Sequence, residues 1–560
     1  MGRLGIVAGI LAVLAGIVTV RLFFLQVSRA DEYRTAAAQQ HAVQYLSLPK
    51  RGNIFFEDKE GVLIPAAITR QTFILEGNPR RMENPQRAYD ILSEFLLLEQ
   101  DKFIAQAAAD STYVVFARDI SRDAAATIAQ HEIPGIWLSG EDRRSYPEGA
   151  TASHALGFVG FVHDARAGRY GVEQQYDGLL RGTSGKYAGE RSRKLTTKKE
   201  DGRDLILTID PHVQSLANTI AADLMERWQA VSVGILVLDP QTGAIRAMES
   251  LPAFNPNAYG DVKDYEVFLN PFTQKVFEMG SIVKPLTMAA GLDARAITEE
   301  TTYYDAGTLK MGDATIGNYD GKGRGQQKMY DILDQSLNTG TVFIMQQLGT
   351  RAFRDYMDRF GLGSNTGIDL PQEIAGNLRN LDTGREVEYA TASFGQGIAV
   401  TPVGLASALA AVANGGELMR PYVMQRIQEG DTVIEETKPV VHRRVLKEES
   451  SEAVSRMLSN VVDKTLAGGA VAIPGYHIAA KTGTAQIPKK GASGYSDAYL
   501  HAFFGYAPAF DPQFLILLYM EQPQGMPYAS QTLSEPFRKL TEFMISYYEI
   551  PPDRKGARNP

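Results

Sequence analysis

Ser281 and Lys284 stand three residues apart in FEMGSIVKPLTMAAGLDA, whose pattern predicts a helix starting at or just after Gly280. Residues at i and i+3 share one helical face, so the amine comes within reach of the hydroxyl. A serine hydroxyl is a weak nucleophile until a base takes its proton. A lysine can be that base only when its pKa is lowered. The field at a helix N-terminus favours a developing alkoxide, and Pro285 is tolerated in a first turn. By itself the pair says little, because Ser-x-x-Lys is more often a helix start with a solvated lysine. The chain holds its own decoy in Ser47-Leu48-Pro49-Lys50, where Pro49 argues against the aligning helix.

Two further motifs change the odds. Ser336-Leu337-Asn338, in DILDQSLNTGTVF, reads as a loop between helices that could aim a hydroxyl and an amide into one cleft. Lys481-Thr482-Gly483-Thr484, in YHIAAKTGTAQIP, reads as a strand with an apolar approach and a glycine where another backbone could come close. A second lysine facing the first would help keep Lys284 neutral and would attract a carboxylate. Alone, one is more often a turn and the other a strand end.

The elements that must position these motifs are readable in outline. DLILTID and VSVGILVLDP read as strands, and AIRAMES as the return partner of the second after Asp-Pro-Gln-Thr-Gly. A helix over Val403 to Ala413 is entered through Thr401-Pro402 and stopped by Gly415-Gly416. HAFFGYAPAF and QFLILLYME read as strands, and Leu533 to Tyr548 as a closing helix. This predicts an α+β domain, an antiparallel sheet covered by helices. Upstream, RGNIFFEDKEGVLIPAA reads as strands and turns, Asn84 to Ala109 as helix-rich, and residues 31–45 as a polar helical stalk. Residues 186–203 hold seven Lys or Arg and read as a solvated hairpin or a linker, with a domain boundary near Gly202.

The chain of 560 residues is 44% hydrophobic and 22% charged, with a net charge of -8, which suits a multidomain globular protein and no nucleic-acid partner. It has no cysteine, which excludes disulfides, thiolate metal sites and a cysteine nucleophile. No HExxH or clustered His suggests a metal, and neither metal nor cofactor is expected. His154, His501, Glu173, Tyr176 and Asp177 are read as structural. Leu4 to Val27 carries one charge, Arg21, and as one helix would be roughly 36 Å long, enough to span a bilayer. A cleaved signal peptide ending at Ser28-Arg29-Ala30 is the rival, but the run is longer than the usual signal core. The flanking charges do not favour an inside N-terminus.

Taken in order, the three motifs are the set of serine β-lactamases and penicillin-binding proteins. The chain resembles a class B penicillin-binding protein, a peptidoglycan D,D-transpeptidase. RLFFLQV, RGNIFFEDKEG, RRSYPEGATASHALGFVG and GVEQQYDGLLRGTSG resemble that family's pedestal; LTID, VLDPQTGAIRAM, FGQGIAVTP and FFGYAP resemble its framework. Met279 departs from it where proline is common. The resemblance implies a penicillin-binding, serine β-lactamase-like transpeptidase domain over 203–550. A transmembrane anchor over 1–27 and a mixed α/β pedestal of the dimerisation type over 28–202 would precede it, and a polar tail over 551–560 would follow. YPEG, GVEQQYD and FGQGIAVTP look most like the cell-division, FtsI-type branch, with the elongation branch close.

The resemblance also implies roles. Ser281 would attack, Lys284 would take its proton, and Ser336 would relay a proton to the leaving D-alanine. Asn338 would hold the substrate amide and Lys284. Lys481 and Thr482 would bind the terminal carboxylate, and Gly483 and Thr484 would line the substrate strand. The N–H groups of Ser281 and Thr484 would form the oxyanion hole. Implied partners are stem peptides ending in D-Ala-D-Ala, β-lactams, the bacterial cytoplasmic membrane with the catalytic domain outside, a polytopic FtsW-type glycosyltransferase, and divisome proteins. Alternatives are a serine β-lactamase or D,D-carboxypeptidase, for which the pedestal is hard to explain, and a β-lactam-binding scaffold or sensor.

Overall fold

The computed structural model describes residues 2–23, 49–162, 165–184, 186–187, 195–197, 199–489, 491 and 494–554. The expected stalk, the Ser28-Arg29-Ala30 site and the start of the Ser47 decoy lie outside them. The chain divides into two compact units: residues 1–52 with 181–202, and residues 53–180 with 203–560.

In the first unit, α1 (Arg3–Phe23) is helical over 21 residues. Among the described residues no helix is long and apolar enough to cross a membrane. The last residues of the expected span, Phe24 to Val27, lie outside the described residues. The basic stretch carries a short hairpin, Lys186–Tyr187 against Leu195–Thr197. Its base is closed by Gly202 N donating to Lys50 O at 2.8 Å and Lys50 N to Asp201 Oδ1 at 2.7 Å.

The second unit begins with β1 (Ile54–Glu57) and β2 (Leu63–Gly77), paired antiparallel around the Asp58–Gly61 turn. α2 (Pro85–Ser93) starts where expected, with the Asn84 side chain accepting from Arg87 N and proline in the first turn, and α3 (Gln100–Ala107) follows. With β3 (Val114–Ile120) and β4 (Ile136–Ser145) they enclose a separate small core of Leu75, Leu92, Phe103 and Ile120. β5 (Asp204–Leu207) then runs parallel to β1. The DLILTID segment thus forms its strand beside β1.

α4 (Pro211–Trp228) is capped by Asp210, whose carboxylate accepts from His212 N and Val213 N. β6 (Ser232–Leu238) and β7 (Ile245–Leu251) form the hairpin expected around the Asp239–Gly243 turn. A one-turn 3-10 segment leads into α5 (Lys284–Asp293); α6 (Met329–Asp334) and α7 (Asn338–Leu348) follow. α8 (Pro402–Ala413) is buried along its whole length and capped by Thr401 Oγ1. β8 (Met424–Glu429) and β9 (Thr432–Glu436) complete a seven-stranded sheet of order β9-β8-β5-β1-β2-β3, with β4 also on β2.

α9 (Glu448–Lys464) is amphipathic and packs on α5, α6, α8 and the next strand, β10 (Ala479–Pro488). β11 (Tyr495–Ala507), β12 (Phe514–Glu521) and α10 (Ser534–Tyr547) finish the domain. The antiparallel sheet has the order β7-β6-β12-β11-β10. Its central strands SVGILVL and FLILLYME are continuously apolar because helices cover both faces: α4 and α10 on one, α8 and α9 on the other. β10, the strand with Lys481, is left at the edge. Part of the polar tail is tied down, with Asp553 on His477 at 3.0 Å and Arg554 on Asp463 at 2.6 Å.

Candidate active site

The turn carrying Ser281 is set by a close approach between backbones. Gly280 has φ +59, its N–H donates to Gly395 O at 3.1 Å, and a Cβ there would lie 3.1 Å from that of Ala485. A Cβ on Gly483 would lie 2.6 Å from Met279 O, so the turn lies directly across the Lys-Thr-Gly-Thr strand. This is the approach that the glycine in that strand predicted. The first turn is tighter than α-helical, a 3-10 turn over Gly280–Val283, and Lys284 N donates to Ser281 O to open α5. Ile282, Val283, Leu286 and Met288 bury the rest of the helix, which leaves Ser281 at the partly exposed rim and Lys284 inside. Ser281 Oγ has no hydrogen-bond partner among the described residues.

Lys284 is 0% and Lys481 2% exposed. Lys284 Nζ donates to Ser336 O at 2.6 Å and lies 3.2 Å from Ser336 Oγ. Lys481 Nζ donates to the same hydroxyl at 3.0 Å and to Thr482 O at 3.1 Å. All four contacts are to neutral oxygens, too little to hold two desolvated ammonium groups, each of which costs several kcal/mol to bury. Burial, and then the charge of Lys481, push Lys284 well below the ordinary lysine value. Burial brings Lys481 down to about 8, opposed by the carboxylate of Asp334. Buried among neutral oxygens, Lys284 is held toward its neutral form.

Ser336 is positioned by strain and by residues far along the chain. It has φ +54, a left-handed conformation costing about 1 kcal/mol for a side-chain-bearing residue, between α6 and α7. Both its carbonyl and its hydroxyl thereby face the lysines. Asp305, fully buried, accepts from Gly307 N, Asn318 Nδ2 and Thr339 Oγ1 at 2.7–2.9 Å. Thr339 opens the same helix as Asn338, so this hub fixes the loop. The Asn338 amide donates to Gly317 O at 2.8 Å, and the hydrogen bonds of Lys284 go to Ser336.

On the strand side, Thr484 Oγ1 accepts from Ala529 N at 3.1 Å, and Thr482 is partly exposed. His501, opposite Thr484 in β11, has Nδ1 2.8 Å from Thr532 Oγ1, and burial lowers its pKa to about 4. His154 bonds Val267 O at 2.9 Å and is likewise held neutral. Glu173 pairs with Arg144 at 2.6 Å, Tyr176 donates to Asp369 at 2.8 Å, and Asp177 accepts from Gly168 N at 2.7 Å, so all three are structural. Among the described residues no group of acidic, His or Cys side chains could hold a metal.

Sequence reading missed Asp305, Asn318, Thr339 and Gly395. Asp305-Ala-Gly307 carries an aspartate-turn signal, but nothing in it points to Thr339.

The chain matches the family description Penicillin-binding Protein dimerisation domain over residues 46–205, and Penicillin binding protein transpeptidase domain over residues 233–542. It is 28% identical over 535 residues to stage V sporulation protein D of Bacillus subtilis, covering 93% of this chain and 81% of that one. It is 28% identical over 569 residues to the peptidoglycan D,D-transpeptidase FtsI homolog of Mesostigma viride, covering 95% and 93%. Penicillin binding protein 2X from Streptococcus thermophilus shares the fold, with a TM-score of 0.76 at 21% identity over 90% of this chain and 80% of that one. Matched over more than half its length by the transpeptidase description, and preceded there by the dimerisation domain, the chain belongs to the class B penicillin-binding proteins.

Proposed function

We propose that this peptidoglycan D,D-transpeptidase cross-links stem peptides through an acyl ester on Ser281. The carrying observation is the Ser336 hydroxyl, which lies 3.2 Å from Lys284 and 3.0 Å from Lys481. Neutral Lys284 takes the Ser281 proton as Oγ attacks the carbonyl of the penultimate D-alanine. The N–H groups of Ser281 and Thr484 receive the oxyanion. The C–N bond breaks, and a proton passes through Ser336 to the departing D-alanine. Lys481 and Thr482 hold the terminal carboxylate, Asn338 the peptide amide, and the donor adds alongside β10 as a further strand past Gly483. An amine from a neighbouring stem peptide then attacks the ester, forming the cross-link and returning the proton to Ser281. A β-lactam enters the same path, and the ester persists.

The test is intact mass after incubation with benzylpenicillin. A stable adduct on the parent and none on Ser281→Ala is expected. Loss of the adduct within seconds would indicate a β-lactamase, and no adduct with no turnover a scaffold.

The finer assignments rest on sequence. Residues 1–27 anchor the chain in the cytoplasmic membrane as one span with the body outside. Residues 28–202 form the pedestal and 203–550 the catalytic domain. An FtsW-type glycosyltransferase and divisome proteins dock on the anchor and pedestal. YPEG, GVEQQYD and FGQGIAVTP support a septal role. Depletion should then leave cells that elongate without closing septa; loss of shape with normal septa would assign it to elongation.

A further inference from the structure

Within the dimerisation domain, β2, β3 and β4 bury one face of their sheet against the small core of Leu75, Leu92, Phe103 and Ile120. Side chains directly opposite on paired strands share a face, so Trp137 of β4 stands beside Glu76 of β2 on the outer side. Tyr113, immediately before β3, joins them. Its hydroxyl donates to Glu76 Oε1 at 2.5 Å, and Trp137 Nε1 donates to Glu76 Oε2 at 2.9 Å. The two ring centroids lie 6.4 Å apart, with the planes tilted by 42°.

As a packing device this cluster achieves little, because Tyr113 is 53% and Trp137 42% exposed. Both rings are nonetheless fixed by one carboxylate, so ligand binding would cost them little further freedom. With the hydroxyl and the indole N–H already engaged, the pair offers aromatic carbon to solvent. The surroundings are polar. Arg118 faces Glu141 at 3.5 Å, Arg143 faces Asp119 at 3.2 Å, and Arg166 also pairs with Glu141. With Glu76 counted, these three arginines meet three carboxylates, which leaves no net local charge to draw a polyanion or a polycation. Trp137 is also the one exposed large apolar side chain among the described residues of the three strands. A protein partner would ask for a wider apolar centre.

An uncharged ligand rich in hydroxyls, with C–H groups to lay on an aromatic face, fits both parts. Those C–H groups meet the negative face of the ring, and hydroxyls and amides meet the charged rim. A chain of N-acetylated sugars has this chemistry. We propose that Tyr113 and Trp137, locked by Glu76, form a stacking platform for the glycan strand of peptidoglycan, a contact with the polymer outside the Ser281 cleft. This rests on peptidoglycan being the substrate, and not on how Ser281 reacts. A strand held there presents its stem peptides at a raised effective concentration.

The chain has two tryptophans, Trp137 and Trp228, so Trp228→Phe in the full chain leaves Trp137 as the sole emitter. Peptide-free glycan strands, and a soluble hexamer of N-acetylglucosamine, should shift its fluorescence to the blue and saturate. Tyr113→Ala on that background should weaken binding by about tenfold. Glu76→Gln, which loosens the rings without removing them, should weaken it less. Calorimetry of Trp137→Ala against the parent, with the same sugars, decides the matter if Trp228→Phe does not fold. Emission that ignores both sugars, or binding unchanged in Tyr113→Ala, would overturn the proposal. A response to oligoarginine and to neither sugar would also overturn it and assign the rings to a cationic protein partner. Benzylpenicillin carries no glycan, so its acylation of the platform variants should match the parent. Glycan binding without any acylation of the parent would fail the reading of Ser281 and leave the platform standing.

Discussion

The Ser281 turn carries Lys284 and the Ser336 loop accepts its hydrogen bonds, yet the two are built in opposite ways. The turn is local. Ser281 and Lys284 are three residues apart, and one helical start orients both. The loop is tertiary. Ser336 sits in a left-handed conformation, and its neighbours are held by Asp305, more than thirty residues earlier. Ser281 and Lys284 therefore keep their spacing wherever the helix forms. The placing of the Ser336 hydroxyl between the two lysines depends on the surrounding domain being assembled.

The largest effect should come from breaking the local side. Lys284→Met keeps the length and packing of a fully buried side chain but removes the base, and acylation should fall by about 10⁴-fold, read by adduct formation. Melting temperature should hold or rise, because a desolvated amine has been replaced by an apolar group. Next is Ser336→Gly. It removes the shared hydroxyl, with a loss of about 10²-fold or more, while relieving about 1 kcal/mol of left-handed strain. Activity and stability should then move in opposite directions, a pattern the local turn cannot show. The smallest effect on chemistry should come from Asp305→Ala, which touches neither lysine. It leaves Asn318 and Thr339 short of partners at about 1–3 kcal/mol, lowering the melting temperature and slowing acylation by roughly tenfold as the loop loosens. If Asp305→Ala melted lower but acylated at the parent rate, the loop would be holding its own shape and the contrast would fail.

The same division explains what was legible in the sequence. Ser281 with Lys284, the strand of Lys481 to Thr484, the β6–β7 hairpin and the Thr401-capped α8 all follow from spacing, alternation or capping within one segment, and each was read in place. Asp305 could not be read, because its importance lies in reaching Thr339 across two hairpins. Nor could the partner of DLILTID: the run says strand, but its pairing with β1 on one side and β8 on the other joins segments about 150 and 220 residues away. β8 and β9 were missed for a different reason. MQRIQE and TVIEE are short and polar; the first buries Met424 and Ile427, three apart, and the second is exposed throughout, so neither shows the alternation that marks a half-buried strand.

A strand left open at a sheet edge is also the commonest place for proteins to stick to one another, since its unpaired N–H and C=O groups accept any extended chain. β10 is such an edge, and it has to stay open to work. The turn lying across Gly483 narrows it, and Pro488, which has no N–H to offer, closes its far end. What remains free is shorter than the ten-residue strand itself. The crowding that places Ser281 therefore also shortens the edge that an aggregating strand could use.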